Sequence, residues 1–341
     1  MNSWVALALL LMLLAGPLLW APLEHNIEWF FLALGIVAIA TAGPIRAHVV
    51  WQALSSPIPI AAAVVIAGGL FVLSEKRIAQ GFNWLARRVP RPLLAAAVTL
   101  AISTLASIIT AIVAALVFSL AIKLMEVHER YKAPTVVAGC FAIGLGAALL
   151  PMGEPLATIA VAALKTGPLG LVRLLGWYVL PGMVFCSLAA GYFAAGPRAL
   201  IDGPEQVRAG SSGAFLMQAV RIYAFVAGLV LISEAFAPVA QTFIGRLSPT
   251  QLYWGNMVSA VADNATLVAI EVNGMSAGRA REALVALLLA GGMLIPGNVP
   301  NIICAGQLEI RTRQWALVGV PMGLALMVVY FLVLRFGSLN S

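Results

Sequence analysis

The sequence predicts an all-α polytopic membrane protein made of two inverted-topology repeats, each with a re-entrant hairpin and a broken transmembrane helix. Two observations support this prediction. The chain is 62% hydrophobic and 10% charged, whereas a soluble domain is about 25% charged. In addition, four blocks of the first half recur in the same order in the second half. The composition predicts a membrane protein, and the recurrence predicts the two repeats.

The net charge of +7 does not indicate nucleic-acid binding in so apolar a chain. Basic residues concentrate in the cytoplasmic loops of membrane proteins and set their orientation. The apolar run from Trp4 to Trp20 lacks a basic leader segment and a small-residue cleavage site, so we interpret it as a retained span. Cys140, Cys186 and Cys304 have neither paired nor metal-ligand spacing, which favours a packing role.

The first part of the chain divides into N-terminal spans outside the repeat, residues 1–57, and a first repeat, residues 58–195. Within this repeat, residues 92–124 are too long for one crossing. A straight helix of that length would measure about 50 Å, against a hydrocarbon core of about 30 Å. Ser103, Ser107 and Thr110 lie where a re-entrant hairpin would turn. A single tilted helix whose hydroxyls bond to its own carbonyls is the alternative.

A broken helix is predicted for residues 134–164, because prolines and a glycine interrupt the apolar sequence. The interrupting residues are Pro151, Gly153 and Pro155. Half-helix ends at the bilayer midplane supply dipoles and free backbone groups for binding ions. Glu154 lies in this interruption as a candidate ligand, and a plain helix-cap role is the alternative.

The second part of the chain begins with a polar linker, residues 196–213, which we place on the cytoplasmic side. The second repeat, residues 214–341, is predicted to contain a hairpin at 250–272 and a broken helix at 282–308. The residues that interrupt this second helix are Pro296, Gly297 and Pro300.

The internal repeat is visible in aligned blocks. Residues 69–75 match residues 228–234, 103–110 match 259–266, 146–155 match 291–300, and Arg173 with Pro181 matches Arg313 with Pro321. Each repeat has an odd number of crossings, so the second is inverted relative to the first. This topology places most basic residues in cytoplasmic loops, as the charge rule prefers.

The most informative stretch runs from Ser259 to Thr266 and places Asp263 and Asn264 within apolar sequence. An ionisable group at membrane depth costs about 2.5 kcal/mol or more, so it predicts a functional site. A position at an interfacial loop end is the alternative for Asp263. Glu271, near the outer end of the same helix, is expected to be solvated.

These motifs resemble the ion transporter superfamily, which includes NhaD-type sodium/proton antiporters, arsenite exporters and divalent-anion/sodium symporters. The nearest resemblance is to an uncharacterised bacterial family of predicted cation transporters. The hairpin motif Ser-Ala-x-x-Asp-Asn-x-(Pro/Thr) is present at residues 259–266, and the broken-helix motif Gly-(Asn/Thr/Asp)-x-Pro-Asn is present at residues 297–301. The resemblance implies hairpins and broken helices meeting at one midplane site, with an elevator-type motion.

This chain also departs from the superfamily pattern. The antiporter branch tends to carry Asp-Asn in its first hairpin, whereas Ser107 and Ile108 stand here. Glu154 replaces a residue that is usually neutral and could supply the missing charge. The Ser-Asn-Thr tips of the symporter branch are absent from both hairpins, which disfavours a dicarboxylate cargo.

The predicted chemistry is cation/proton exchange, because protonation and cation binding would compete for the carboxylate of Asp263. Hydroxyl, amide and carboxylate oxygens are hard ligands that suit Na⁺. The candidate ligands are Ser103, Ser107, Thr110, Glu154, Ser259, Asp263, Asn264, Thr266, Asn298 and Asn301, with Asp263 and Asn264 as the candidate Na⁺ ligands.

We therefore expect a secondary transporter of Na⁺ or a similar small ion and protons in the bacterial cytoplasmic membrane. No cofactor besides bound Na⁺ and no nucleic-acid partner is expected. Formation of a homodimer is compatible with the sequence. A Na⁺-coupled carrier of a carboxylate or oxyanion is the alternative, although none of the motifs contains a basic residue. A channel is also compatible with the sequence. An intramembrane enzyme is disfavoured, because no His-Glu-x-x-His motif occurs and the three histidines are isolated.

Overall fold

In the computed structural model, the described part of the chain consists of helices and the turns that join them. The described residues are 3–19, 26–44, 46–58, 61–62, 65–66, 69, 77, 80–82, 84–86, 88–196, 212–244, 247–261, 264–272 and 275–337. Residues 197–211 of the predicted linker lie outside the described residues.

The helices fall into three sets in chain order. The first set is α1 (Ser3–Leu19), α2 (Ile27–Ala42) and α3 (Ala47–Ser55). The second is α4 (Arg91–Ile109), α5 (Ala111–Leu124), α6 (Glu129–Ala147), α7 (Pro155–Ala163) and α8 (Gly170–Ala194). The third is α9 (Ser212–Ile244), α10 (Pro249–Gly255), α11 (Asn264–Glu271), α12 (Ala277–Gly291), α13 (Val299–Leu308) and α14 (Thr312–Gly337). Two short 3₁₀ segments, Asn256–Ala260 and Ile295–Gly297, complete the third set.

Four of these helices are long and apolar enough to cross a bilayer. They are α4, α8, the part of α9 from Ala219 to Pro238, and α14 from Thr312 to Phe336. Shorter apolar helices of 10–17 residues include α5 and α13. A helix satisfies its own backbone hydrogen bonds, which is why apolar segments of this kind can enter lipid.

The N-terminal helices α2 and α3 pack against α9. The rings of Phe31 on α2 and Phe225 on α9 are 4.7 Å apart between centroids. Gly35 and Gly228 bring the two backbones together, since a Cβ on Gly35 would lie 2.6 Å from the carbonyl oxygen of Gly228. The Tyr223 hydroxyl donates to the carbonyl oxygen of Leu54 on α3 at 2.7 Å. Residues before the predicted repeat are therefore an integral part of the helix bundle.

Helix α8 defines two opposite ends of the molecule. Near its start, the carbonyl oxygen of Leu174 accepts a hydrogen bond from Arg281 Nε at 3.2 Å. Just beyond its last residue, a Cβ on Gly196 would meet the ring of Tyr131, next to Lys132. At 1.5 Å per residue, the two ends of α8 are about 36 Å apart. We call them the Arg281 end and the Lys132 end.

Helices α4 and α5 form a first hairpin with its base at the Lys132 end. The start of α4 lies against the last turn of α8, where a Cβ on Gly191 would lie 2.5 Å from the carbonyl oxygen of Pro92. The end of α5 is at the same end, because Lys123 Nζ donates to Gln307 Oε1 and Lys132 Nζ donates to the Leu308 carbonyl, both at 3.3 Å.

The turn of the first hairpin is at Thr110. This residue has φ 75° and ψ 149°, outside the helical region, and its side chain accepts a hydrogen bond from Val113 N at 3.5 Å. A threonine rarely has positive φ, so the surrounding structure must hold it there. The backbone N–H of Ala111 contributes by donating to the Gly153 carbonyl at 2.8 Å.

Helices α10 and α11, with the 3₁₀ segment Asn256–Ala260, form the arms of a second hairpin whose base is at the Arg281 end. Its first arm is α10 with the 3₁₀ segment, and its second arm is α11. Arg335 Nη2 donates to Thr250 Oγ1 at 2.5 Å and pairs with Glu282 at 3.7 Å, which ties the base to α12 and α14. The two hairpins therefore open towards opposite ends of the molecule.

The two interrupted helices also run in opposite directions. Helix α6 starts at the Lys132 end and is interrupted after Ala147, whereas α12 starts at the Arg281 end and is interrupted after Gly291. Their continuations, α7 and α13, pack against the second arm of the opposite hairpin, α7 on α11 and α13 on α5. Ser119 on α5 donates to the sulfur of Cys304 on α13 at 3.3 Å.

The starts of both interrupted helices differ from the prediction by five residues. Helix α6 begins at Glu129 rather than 134, because His128 caps it by accepting from Arg130 N at 3.3 Å, and Pro134 lies inside the helix. Helix α12 begins at Ala277 rather than 282, after Ser276 in extended backbone. In both cases the first turn contains polar residues, so the apolar run that predicted the helix begins later in the sequence than the helix does.

Candidate functional site

Four predicted site residues contact the interrupted helices α6 and α12 near the ends of those helices. We call Ser107, Asn264, Asn298 and Asn301 the central polar cluster. They come from α4, α11, the second interruption and α13. Each of them contacts a glycine of α6 or α12, where the absence of a side chain leaves room for a neighbouring group.

The first hairpin joins the cluster through α6. Ser107 Oγ donates to the carbonyl oxygen of Gly146, and the backbone of Ser103 lies where a Cβ on Gly146 would be. The hydroxyl of Ser103 itself donates to Thr99 and Leu100 of its own helix at 2.8 and 3.0 Å. Ser103 thus makes the back-bonded contact weighed as the alternative, whereas Ser107 makes a contact between helices.

The second interruption joins the cluster from the other side. Asn298 Nδ2 lies against Gly144, at 2.6 Å from the position of a Cβ there. The second interruption therefore lies against α6, about one turn before that helix ends. Asn298 is the N-cap residue of α13 and Glu154 is the N-cap residue of α7, both in extended backbone, and neither side chain caps its helix. Glu154 thus lies at a helix N-terminus, as the helix-cap alternative expects, but makes no capping hydrogen bond with its side chain, which is 9% exposed.

Asn264 and Asn301 share one glycine of α12. Asn301 Nδ2 donates to the carbonyl oxygens of Gly291 and Leu294 at 2.8 and 2.9 Å. Carbonyl oxygens only accept, so these two bonds fix which end of the amide is nitrogen. Asn264 Nδ2 lies against the Cα side of the same Gly291, where a side chain would collide with it.

The amide oxygens of these two residues face no donor among the described residues. Asn264 is 7% exposed and Asn301 is fully buried, yet the Oδ1 atom of each accepts no hydrogen bond there. A buried acceptor without a partner costs about 1–3 kcal/mol. Each oxygen is therefore available to a donor or a cation, on two side chains whose amide nitrogens contact the same glycine.

The remaining predicted ligands have different surroundings. Ser259 Oγ donates to the Leu287 carbonyl on α12 at 3.2 Å, about one turn before Gly291. Thr110 lies at the turn of the first hairpin and caps α5. Asp263 is outside the described residues, and so is the side chain of Thr266. Among the interrupting residues, Gly297 packs tightly, with a Cβ position 2.5 Å from the Gly291 carbonyl oxygen.

A buried carboxylate lies in the second hairpin, where the sequence predicted a solvated one. Glu271 is 4% exposed. Its Oε2 accepts a hydrogen bond from Asn256 Nδ2 at 2.9 Å, and the same nitrogen is 3.3 Å from the Ala283 carbonyl oxygen. The prediction for Glu271 is wrong because α11 folds back against the first arm of its hairpin. The signal available in the sequence was Asn256, a polar residue in the otherwise apolar run before Ser259.

All three cysteines are buried and none forms a disulfide. Cys304 contacts Ser119 and the Ala115 carbonyl between α5 and α13, and Cys140 lies 3.7 Å from the Pro300 carbonyl oxygen. Two of them therefore help to pack the interrupted helices, next to the central polar cluster.

The fold and this site define a class, the multi-pass helical membrane protein with a buried polar centre. The model of a family described as protein of unknown function (DUF1646) matches residues 4–336, and the chain belongs to that family. No curated protein and no solved structure matches the chain.

Proposed function

We propose that the protein is a secondary active transporter that exchanges a small hard cation, such as Na⁺, for protons. The main observation that supports this proposal is the pair of buried amide oxygens of Asn264 and Asn301, which accept no hydrogen bond from described residues. Oxygen ligands without competing donors are what a hard cation requires. Asp263, the residue before Asn264, would supply the titrating carboxylate for which cation and proton compete.

The arrangement of helices supports an inverted repeat. The first hairpin has its base at the Lys132 end and the second at the Arg281 end, and α6 and α12 start at the same ends as the hairpins that precede them. Each hairpin packs on the continuation of the other interrupted helix. Two inversely oriented halves around one site are the basis of alternating access in secondary transporters. An elevator-type movement of this core is part of the proposal.

The site favours a cation over an anion. The four side chains of the central polar cluster are uncharged, and the carboxylate of Asp263, the residue before Asn264, would repel an anion. A buried anion needs a basic group or several free donors. In contrast, the amide nitrogen of Asn301 is already committed to two carbonyl oxygens.

Transport should be tested on the purified protein in liposomes that contain a pH-sensitive dye. A Na⁺ gradient should move protons in the opposite direction, and choline should not replace Na⁺. Asn264→Ala should raise the Na⁺ concentration for half-maximal flux by about tenfold, corresponding to roughly 1.4 kcal/mol of binding energy. Asn26→Ala, at an exposed amide at the start of α2, is the control and should behave like the wild type.

Equilibrium binding of radioactive Na⁺ to detergent-solubilised protein provides a second readout. It should weaken in Asn264→Ala in parallel with the flux. A folded wild-type protein that binds no Na⁺, Li⁺ or K⁺ and moves no protons would refute the antiport proposal. Na⁺-dependent uptake of a carboxylate or oxyanion without proton exchange would favour the anion carrier instead.

A further inference from the structure

A cleft at the Arg281 end, lined by two arginines, is distinct from the central polar cluster. It has a volume of about 660 Å³ and lies between the segment that joins α7 to α8 and the start of α12. Arg173 and Arg281 both line it, together with Thr166. No acidic side chain is among its described lining residues. The cleft therefore carries a concentrated positive charge.

The guanidinium group of Arg281 is held in place at the cleft. Its Nε donates to the Leu174 carbonyl at 3.2 Å, and its Cζ lies 5.4 Å from the centre of the Tyr178 ring. Within the described part of the chain, neither Arg281 nor Arg173 forms an ion pair. A fixed guanidinium that keeps terminal N–H donors available matches the geometry of a phosphate group.

The apolar surroundings of the cleft indicate which kind of phosphate it fits. Leu169, which lines the cleft, and Val172, which is next to Arg173, are large apolar side chains exposed on the outside of the bundle. Trp177, two turns into α8, is 87% exposed. Exposed tryptophan near the end of a membrane helix is typical of the bilayer interface. The cleft thus combines cations with an adjoining surface for acyl chains, at the level of the lipid head groups.

We propose that this cleft binds the phosphate head group of an anionic phospholipid, such as phosphatidylglycerol, with Arg173 and Arg281 as its ligands. The two sides of the cleft belong to different parts of the chain, residues 164–174 and residues 275–281. A bound lipid would therefore link the end of the first interrupted helix to the start of the second. This proposal does not depend on the transported ion.

The test uses the intact protein in lipid nanodiscs that contain phosphatidylcholine with or without phosphatidylglycerol. Native mass spectrometry should detect retained phosphatidylglycerol, and this signal should fall about tenfold in the double variant Arg173→Gln and Arg281→Gln, since each basic contact to an anionic lipid contributes measurably. Arg279→Gln is the matched control, because Arg279 is an exposed arginine at the same end, donates to the Leu247 carbonyl and does not line the cleft.

The outcomes separate the alternatives. Equal lipid retention by the double variant and the control, with both proteins monodisperse and helical, would refute the proposal. Complete displacement of the lipid by millimolar inorganic phosphate would also refute it, because the site would then be one for a free oxyanion. Loss of retained lipid in the double variant alone, with phosphate unable to compete, supports a lipid head-group site.

Discussion

Glu154 and Asn298 occupy matching backbone positions at the starts of α7 and α13. Their φ and ψ angles are −156° and 159° for Glu154, and −153° and 146° for Asn298. A proline follows in the first turn of each helix. The two interrupted helices thus resume in the same way, and one resumes with a carboxylate where the other has an amide.

This match leads to a prediction about charge. Glu154→Gln keeps the shape of the side chain and removes its negative charge, so it should weaken the attraction for a cation bound at the proposed site. The Na⁺ concentration for half-maximal proton exchange should rise about tenfold, or roughly 1.4 kcal/mol. Dye-reported flux in liposomes measures this value. Glu309→Gln removes the same charge from an exposed position at the end of α13 and should leave the value unchanged.

Gly291 provides a test of the packing around the amides. A methyl group there would collide with Asn264 Nδ2 and would lie 3.0 Å from the Gly297 carbonyl oxygen. Gly291→Ala should therefore lower the free energy of unfolding by about 1–3 kcal/mol and reduce cation binding. Thermal unfolding in detergent and Na⁺ binding are the measurements.

The control for Gly291 is in the same helix. A Cβ on Gly278 would have no atom within 4 Å, so Gly278→Ala should be neutral or stabilise the helix by up to about 1 kcal/mol. If Gly291→Ala were as stable as Gly278→Ala and bound Na⁺ normally, the close contact between Asn264 and α12 would be disproved.

The extent to which sequence predicts this site depends on how local each feature is. Prolines and glycines act on the backbone where they stand, so the sequence could place the interruptions at residues 151–155 and 296–300, and α7 and α13 begin at Pro155 and Val299. The sharing of Gly291 by Asn264 and Asn301 is different. It depends on how the second hairpin leans on α12, which no local pattern encodes.

The direction of a side chain is equally non-local. Ser103 and Ser107 are one helical turn apart in the same polar group. Nevertheless, Ser103 bonds to its own helix and Ser107 to α6, because the packing partner decides which hydroxyl finds an acceptor. Glu271 shows the same limit, since only the fold of the hairpin places Asn256 opposite it.

The Asn256–Glu271 contact should stabilise the second hairpin. Glu271→Ala would leave the buried amide of Asn256 without one acceptor and should cost about 1–3 kcal/mol of stability. Glu271→Gln retains an oxygen that can accept the same hydrogen bond and should cost less. Thermal unfolding of both variants in detergent measures the difference. Equal losses in the two variants would show that the charge of Glu271, and not its hydrogen bond, is what matters.

The opposite orientation of the two hairpins predicts which residues share a membrane side. Single cysteines at Arg88 and Arg130, near the base of the first hairpin, should react with an impermeant maleimide from the cytoplasmic side. A cysteine at Arg279, at the Arg281 end, should react from the other side. The native cysteines are buried and should give little background. Labelling of positions 88 and 130 from opposite sides would rule out the hairpin in the membrane.

The last prediction concerns Asp263, the carboxylate that the proposed exchange requires. Asp263→Asn preserves the size and hydrogen-bonding capacity of the side chain but removes its titration, so Na⁺-driven proton movement should be lost while the protein folds. Its stability should be equal to or higher than that of the wild type, because an unpaired buried charge is costly. Dye-reported flux and thermal unfolding are measured on the same preparation, with Asp202→Asn in the linker as a control for the only other aspartate. Wild-type flux from a well-folded Asp263→Asn protein would show that the exchanged proton does not bind there.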